Sequence, residues 1–149
     1  MKRKNLILKM TVAVALMWPC LLSGQTGLKV APFFDGRYNE SRDVVTVVAK
    51  GKALQPYGLS LYRSLTFSKR LPEMADIENA VTTDGKAAVD KETGKMGGKL
   101  IYAFYSLPPA KGQKKEMRYL FYRQNDEKTY LVYMEGQTTL ERLKKMFNK

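Results

Sequence analysis

The chain has no histidine, one cysteine (Cys20) and one tryptophan (Trp18). Without imidazole, the Ser-His-Asp and Cys-His systems of nucleophilic catalysis have no base. Most zinc, iron and copper sites likewise lose their commonest nitrogen ligand. Negative charge is scarce: 14 Asp and Glu stand against 26 Lys and Arg, for a formal net charge of +12. A carboxylate calcium loop needs closely spaced acids. The nearest cluster, Asn125-Asp126-Glu127, is too short for one and has the composition of a hairpin turn. A long apolar run is missing too. Crossing a bilayer as a helix takes about 20 apolar residues, whereas the charge-free stretch begins only after Lys9 and is interrupted by Pro19.

What stands at the N-terminus has the order of a secretory signal peptide. Lys2-Arg3-Lys4 form a basic head, an apolar stretch runs to Leu22, and Ser23-Gly24 supply small residues for cleavage before Gln25. Residues 1–24 are therefore expected to be removed and residues 25–149 to form one domain in the periplasm or outside the cell. Acylation at Cys20 is disfavoured because Trp18 and Pro19 are bulky where a lipoprotein peptidase needs small side chains, so the product is expected to be soluble and untethered. Cleavage takes away Cys20, Trp18 and four basic residues (Lys2, Arg3, Lys4, Lys9) but no acidic one, leaving a net charge of +8. No intramolecular disulfide can form, so stability has to come from packing. The residual positive charge favours solubility and biases contacts toward polyanions.

Along the mature chain, Gln25 to Glu40 reads as irregular, with Phe33-Phe34 as anchor onto a core. Asn39-Glu40-Ser41 matches a glycosylation sequon, a signal too short to carry weight alone. Val44-Val45-Thr46-Val47-Val48 is β-branched throughout and reads as a strand buried on both faces, hence central in a sheet. Lys52 to Tyr57 suits a helical turn or two, closed by Gly58 in the left-handed conformation. Leu59, Leu61, Leu65 and Phe67 alternate with polar residues as a second strand. Pro72 to about Glu92 predicts the longest helical segment, with Met74, Ile77 and Val81 as its apolar stripe, resumed by Ala88 and Val89. Thr82-Thr83-Asp84-Gly85 is a candidate break within it, and Gly94, Gly97 and Gly98 close it. Leu100–Tyr105, Met117–Arg123 and Thr129–Met134 read as three strands of a β-meander with short polar connections. Thr138 with Glu141 forms a capping box opening a last helix, whose apolar side carries Leu140, Leu143, Met146 and Phe147. The order predicts a single α+β domain, a largely antiparallel sheet with helices packed on one face.

Few residues offer chemistry. Gly94-Lys95-Met96-Gly97-Gly98-Lys99 lacks the order of a phosphate-binding loop and leads into a strand. By strand parity Tyr102, Phe104, Tyr119, Phe121 and Tyr133 are expected on one face, with Tyr105, Tyr122 and Tyr130 on the other. Flanked by Lys99, Arg118 and Arg123, the first set suggests a ligand face: Tyr102, Arg118, Tyr119, Phe121, Arg123 and Tyr133. Aromatics beside cations can stack sugars or bases, but the glycine-bearing motif of an RNA-binding sheet is absent and no nucleic acid is expected. Two basic clusters, Lys111, Lys114, Lys115 and Arg142, Lys144, Lys145, are candidate polyanion contacts.

Leu107-Pro108-Pro109, Arg118-Tyr119-Leu120-Phe121-Tyr122-Arg123, and Val132-Tyr133-Met134-Glu135-Gly136 with Thr139-Leu140-Glu141 resemble a family of small exported proteins of unknown function from Gram-negative gut bacteria. The resemblance implies an envelope location and carries no activity, cofactor or catalytic residue. The expectation is a non-enzymatic binding or interaction domain without cofactor or metal, its partner another envelope protein, an anionic lipid or an acidic glycan. A hydrolase using paired carboxylates or a Ser-Lys pair is the alternative, with no particular pair indicated.

Overall fold

Six strands pair side by side, every neighbour antiparallel, in a computed structural model that describes residues 27–68, 70–112 and 116–148. Residues 1–24, expected as a signal peptide, and Lys114 and Lys115 lie outside the described residues. The strands are β1 (Val44–Lys50), β2 (Leu59–Phe67), β3 (Asp90–Met96), β4 (Lys99–Leu107), β5 (Met117–Gln124) and β6 (Thr129–Gly136). Their order is β1-β2-β6-β5-β4-β3. Two α-helices are described, α1 (Met74–Asp84) and α2 (Leu140–Phe147), along with 3-10 turns at Ala31–Phe34, Gly51–Tyr57 and Gly85–Ala87. The result is an α+β fold built on one sheet.

Both faces of the sheet are covered, which corrects the expectation of helices on one face. Leu65, Phe67, Ala103, Tyr105, Leu107, Leu120, Tyr122 and Leu131 point to one side and pack with Met74, Ile77, Ala80 and Val81 of α1. Phe104, Tyr119, Phe121, Val132 and Met134 point to the other and pack with Leu140 and Leu143 of α2. The physical reason lies in the strands themselves. β4, β5 and β6 carry large apolar residues at both parities, so each side must be kept from water, and a single layer of helix covers only one.

Three further expectations are corrected. First, β1 lies at the edge of the sheet, with Val45, Val47 and Val48 exposed, and not at its centre. Second, the segment expected to stay helical to Glu92 leaves the helix at Asp84 and becomes β3, which joins β4 through Gly97-Gly98. Both glycines have positive φ, +58° and +78°, as the tightest hairpin turns require. Third, α2 is capped by Thr139, whose hydroxyl accepts from the Arg142 N–H at 3.2 Å, one residue later than expected. Thr138 is engaged elsewhere. The Tyr119 hydroxyl donates to its carbonyl at 2.6 Å and lies 3.2 Å from its N–H, which donates back.

The chain preceding β1 is fastened to the end of α1. The Asp84 carboxylate accepts from the N–H groups of Lys29, at 2.7 Å, and Val30, at 3.0 Å. Phe33 and Tyr38 then insert into the α1-side core, Tyr38 edge-on to Phe67.

Candidate functional site

Strand register builds a concave site on the α2 side, near the β3–β4 edge. Cross-strand neighbours share a face. Glu92 therefore stands beside Phe104, and Phe104 beside Phe121, in one row across the sheet. In the next row Gly94 stands beside Tyr102, Tyr102 beside Arg123, and Arg123 beside Tyr130. Gly94 makes room in that row: a Cβ there would lie 2.2 Å from the Tyr102 ring, so only glycine lets the ring lie across β3. The C-terminal turn of α2 closes the far wall with Lys144 and Asn148. Between them lies an open groove of about 430 Å³ lined by Glu92, Ile101, Tyr102, Phe104, Arg123, Gln124, Asn125, Lys144 and Asn148.

The floor is a chain of aromatic contacts. Tyr102 and Phe104 are 5.7 Å apart between ring centroids, Phe104 meets Phe121 edge-on at 4.4 Å, and Phe121 stacks on Phe147 at 4.8 Å. Lys144 lies 5.8 Å from the Phe104 ring centre and donates to the Glu92 carboxylate. That hydrogen bond, more than any other influence, holds the Lys144 ammonium above its usual pKa, so it remains a cation at neutral pH. Arg123 adds a second cation, and the side-chain amides of Gln124, Asn125 and Asn148 offer donors and acceptors. Chemically, the groove presents a flat apolar floor, two cations and one carboxylate. Among the described residues no group of three or more His, Cys, Asp or Glu comes together as a metal site. No helix among them is long and apolar enough to cross a membrane.

A family model described as a family of unknown function (DUF6108) matches residues 17–147. The chain belongs to that family. Neither a curated protein nor a solved structure matches it.

In this DUF6108 member the expected ligand face is divided. Tyr102 and Arg123 line the groove. Phe121 lies beneath it, 6% exposed, and Tyr119 is 1% exposed, its hydroxyl committed to Thr138. Tyr133 is fully buried on the opposite, α1 side, which corrects the parity read from the sequence. Tyr130 takes its place on the groove side, because β5 and β6 pair odd with even residues, as in Arg123↔Tyr130 and Leu120↔Tyr133. Arg118 is also on the α1 side, where its Nε donates to the Pro108 carbonyl at 2.9 Å. There Tyr133 donates to Glu135 at 2.8 Å. Burial, then Glu135, raises its phenol pKa, while Arg118 and Arg63 nearby act the other way. This cluster ties β2, β6 and β5 together from within the fold.

The basic cluster on α2 is divided as well. Lys144 lines the groove, Arg142 donates to the Pro56 carbonyl at 3.0 Å, and Lys145 pairs with Glu141 at 3.3 Å. Lys111 is exposed on the β4–β5 connection. Sequence reasoning missed Glu92, because β3 has no apolar alternation. The signal that could have found it was Gly97-Gly98, a two-residue hairpin turn that needs a strand on each side.

Proposed function

We propose that the protein is exported, loses its first 24 residues and acts in the periplasm or outside the cell as a non-enzymatic binding domain whose groove takes an acidic glycan. The observation that carries this reading is the row Tyr102–Arg123 with Lys144 and Glu92 around an aromatic floor. An aromatic ring offers a flat apolar surface to the face of a sugar. A guanidinium pairs a uronate carboxylate with two parallel hydrogen bonds. Glu92 and the amides suit hydroxyl groups. Glycan is favoured over lipid because, among the described residues, the cations of the last helix are met by groups of the protein itself, Lys144 by Glu92. Lys111 sits on a hairpin, while Arg142 and Lys145 are held by Pro56 and Glu141. Such surface lysines and arginines are usually solvated polar surface.

The test is calorimetric titration of the exported, purified protein with a uronic-acid oligosaccharide, its neutral counterpart and anionic phospholipid vesicles. Arg123→Gln and Tyr102→Ala are each expected to weaken the acidic oligosaccharide about tenfold, equivalent to about 1.4 kcal/mol. Affinity is expected to fall with added salt. Equal binding of the neutral oligosaccharide, vesicle binding alone, or affinity indifferent to both substitutions would overturn the reading. Export is checked separately by the N-terminal residue of the secreted product, expected to be Gln25.

A further inference from the structure

The two edges of the sheet are built differently. β3 carries Asp90, Lys91, Glu92 and Lys95 and has a register irregularity at Gly94/Lys95. Charges and bulges of this kind keep an edge from pairing with another chain. β1 has neither device. It pairs with β2 in unbroken register and is uncharged until Lys50. Its Val45, Val47 and Val48 side chains are 61%, 44% and 54% exposed.

The outer side of β1 also has backbone groups to offer. The Ser68 N–H donates to the Asp43 carbonyl at 2.9 Å, so the backbone of Asp43 faces β2. Alternation along a strand then turns the N–H and C=O groups of Val44, Thr46, Val48 and Lys50 away from the sheet. Among the described residues, no backbone group beyond the β2 ladder bonds them.

The sequence of this edge reads the same in both directions: Val44-Val45-Thr46-Val47-Val48 is a palindrome about Thr46. We infer that β1 is a self-pairing strand through which two copies join antiparallel, about a two-fold axis at Thr46 perpendicular to the sheet. Such an axis keeps the faces of both sheets aligned. It sets Val44 opposite Val48, Val45 opposite Val47 and Thr46 opposite Thr46, with outward backbone groups meeting outward ones. Every central pair is β-branched, a favourable cross-strand combination. A register shifted by one residue would put side chains on the wrong faces. One shifted by two would set Lys50 against Val44. The second copy is thus the occupant whose side chains and backbone both fit. Like charges meet only at the ends, where Arg42 comes opposite Lys50, and salt screens them. A single strand pair is a small interface, so association in the micromolar range is expected.

Sedimentation velocity over a concentration series tests the inference. The exported protein is expected to be a reversible dimer whose association does not weaken with salt, unlike acidic glycan binding in the groove. Thr46→Pro removes both central inter-copy hydrogen bonds and none to β2. It is expected to weaken dimerisation about tenfold or more with an unchanged circular dichroism spectrum. Val45→Lys, at an exposed position, is expected to act in the same direction and serves if the proline variant does not fold. In the exported protein, which has lost Cys20, Thr46→Cys places two thiols at about 5.5 Å between Cα atoms, within disulfide range. Lys50→Cys places them roughly 27 Å apart. Rapid cross-linking is expected of the first and not of the second. A monomer at every concentration, a dimer untouched by both β1 substitutions, or equal cross-linking at both positions would overturn the inference. Arg123→Gln should leave the dimer intact, so failure of one proposal is distinguishable from failure of the other.

Discussion

Tyrosine sets the pH limits of this fold residue by residue. Burial pushes the phenol of Tyr122 up to about 12, with Glu78 adding to the shift. The same cause, aided by Glu73, pushes Tyr38 up to about 12, and Tyr133 is raised as well. Once the folded pKa stands above the ordinary value of 10, the unfolded chain releases its proton first. The stabilisation is then complete below pH 10 and is lost as pH rises toward 12. One such group accounts for up to about 1.4 kcal/mol per pH unit. Tyr122→Phe is therefore expected to flatten the alkaline loss of stability by about that amount. Its hydrogen bond to Gln124, at 3.2 Å, makes the cost at neutral pH about 0.5–1.5 kcal/mol. Denaturant titrations of both proteins at neutral pH and near pH 11 check this; parallel curves would refute it. Asp84 runs the opposite way to most acids. Burial raises its carboxyl pKa against the pull of two backbone N–H donors, so its share of stability is greatest in acid and declines as pH rises through the raised value. It also ends α1, where the helix dipole disfavours a negative charge. The bonds to Lys29 and Val30 explain why an acid stands there.

At the level of elements, two glycines allow close approach for different reasons. A Cβ at Gly94 would meet the Tyr102 ring, which is half-exposed and can swing aside. A Cβ at Gly136 would meet the Gly58 carbonyl oxygen at 2.3 Å and Leu59 Cα at 2.8 Å, both main chain and fixed where β6 ends against β2. Gly94→Ala is expected to cost less than about 1.5 kcal/mol of stability while displacing Tyr102 and weakening groove binding. Gly136→Ala is expected to cost about 3 kcal/mol or more. Thermal unfolding and titration with the acidic oligosaccharide separate the two; equal destabilisation would count against this account. The elements also show what a sequence carries. β2, β4, β5, β6 and α2 were legible because apolar residues recur along them at a strand or helix period. β3 was hidden because Asp90, Lys91, Glu92 and Thr93 are exposed on both faces and leave no alternation to read. β1 was legible as a strand, but five β-branched residues look alike at an edge and in a centre. Of the groove, Tyr102, Arg123 and Lys144 could be named from sequence. Their convergence could not, since it depends on the register that sets Tyr102 beside Arg123 and on the path of α2 over Phe121.

For the whole molecule, charge and topology act on different properties. The full chain carries +12, and +8 without its first 24 residues, and self-repulsion of that size opposes compactness. Added salt is expected to raise the melting temperature while weakening acidic-glycan binding; a scan and a titration across ionic strength check the opposed trends, and parallel ones would contradict them. The sheet also joins distant parts of the chain, as where Leu65 pairs with Leu131, so folding rests on non-local pairings, which slow it. The fastening of Lys29 and Val30 to Asp84 has a consequence for the life history of the chain. Asp84 accepts from the peptide N–H groups of Lys29 and Val30, while the Val30 side chain is buried in the core beside it. Position 29, exposed, can therefore change its side chain and keep both backbone bonds, whereas position 30 has to stay apolar; a foreign segment spliced ahead of Gly27 would meet the same mooring.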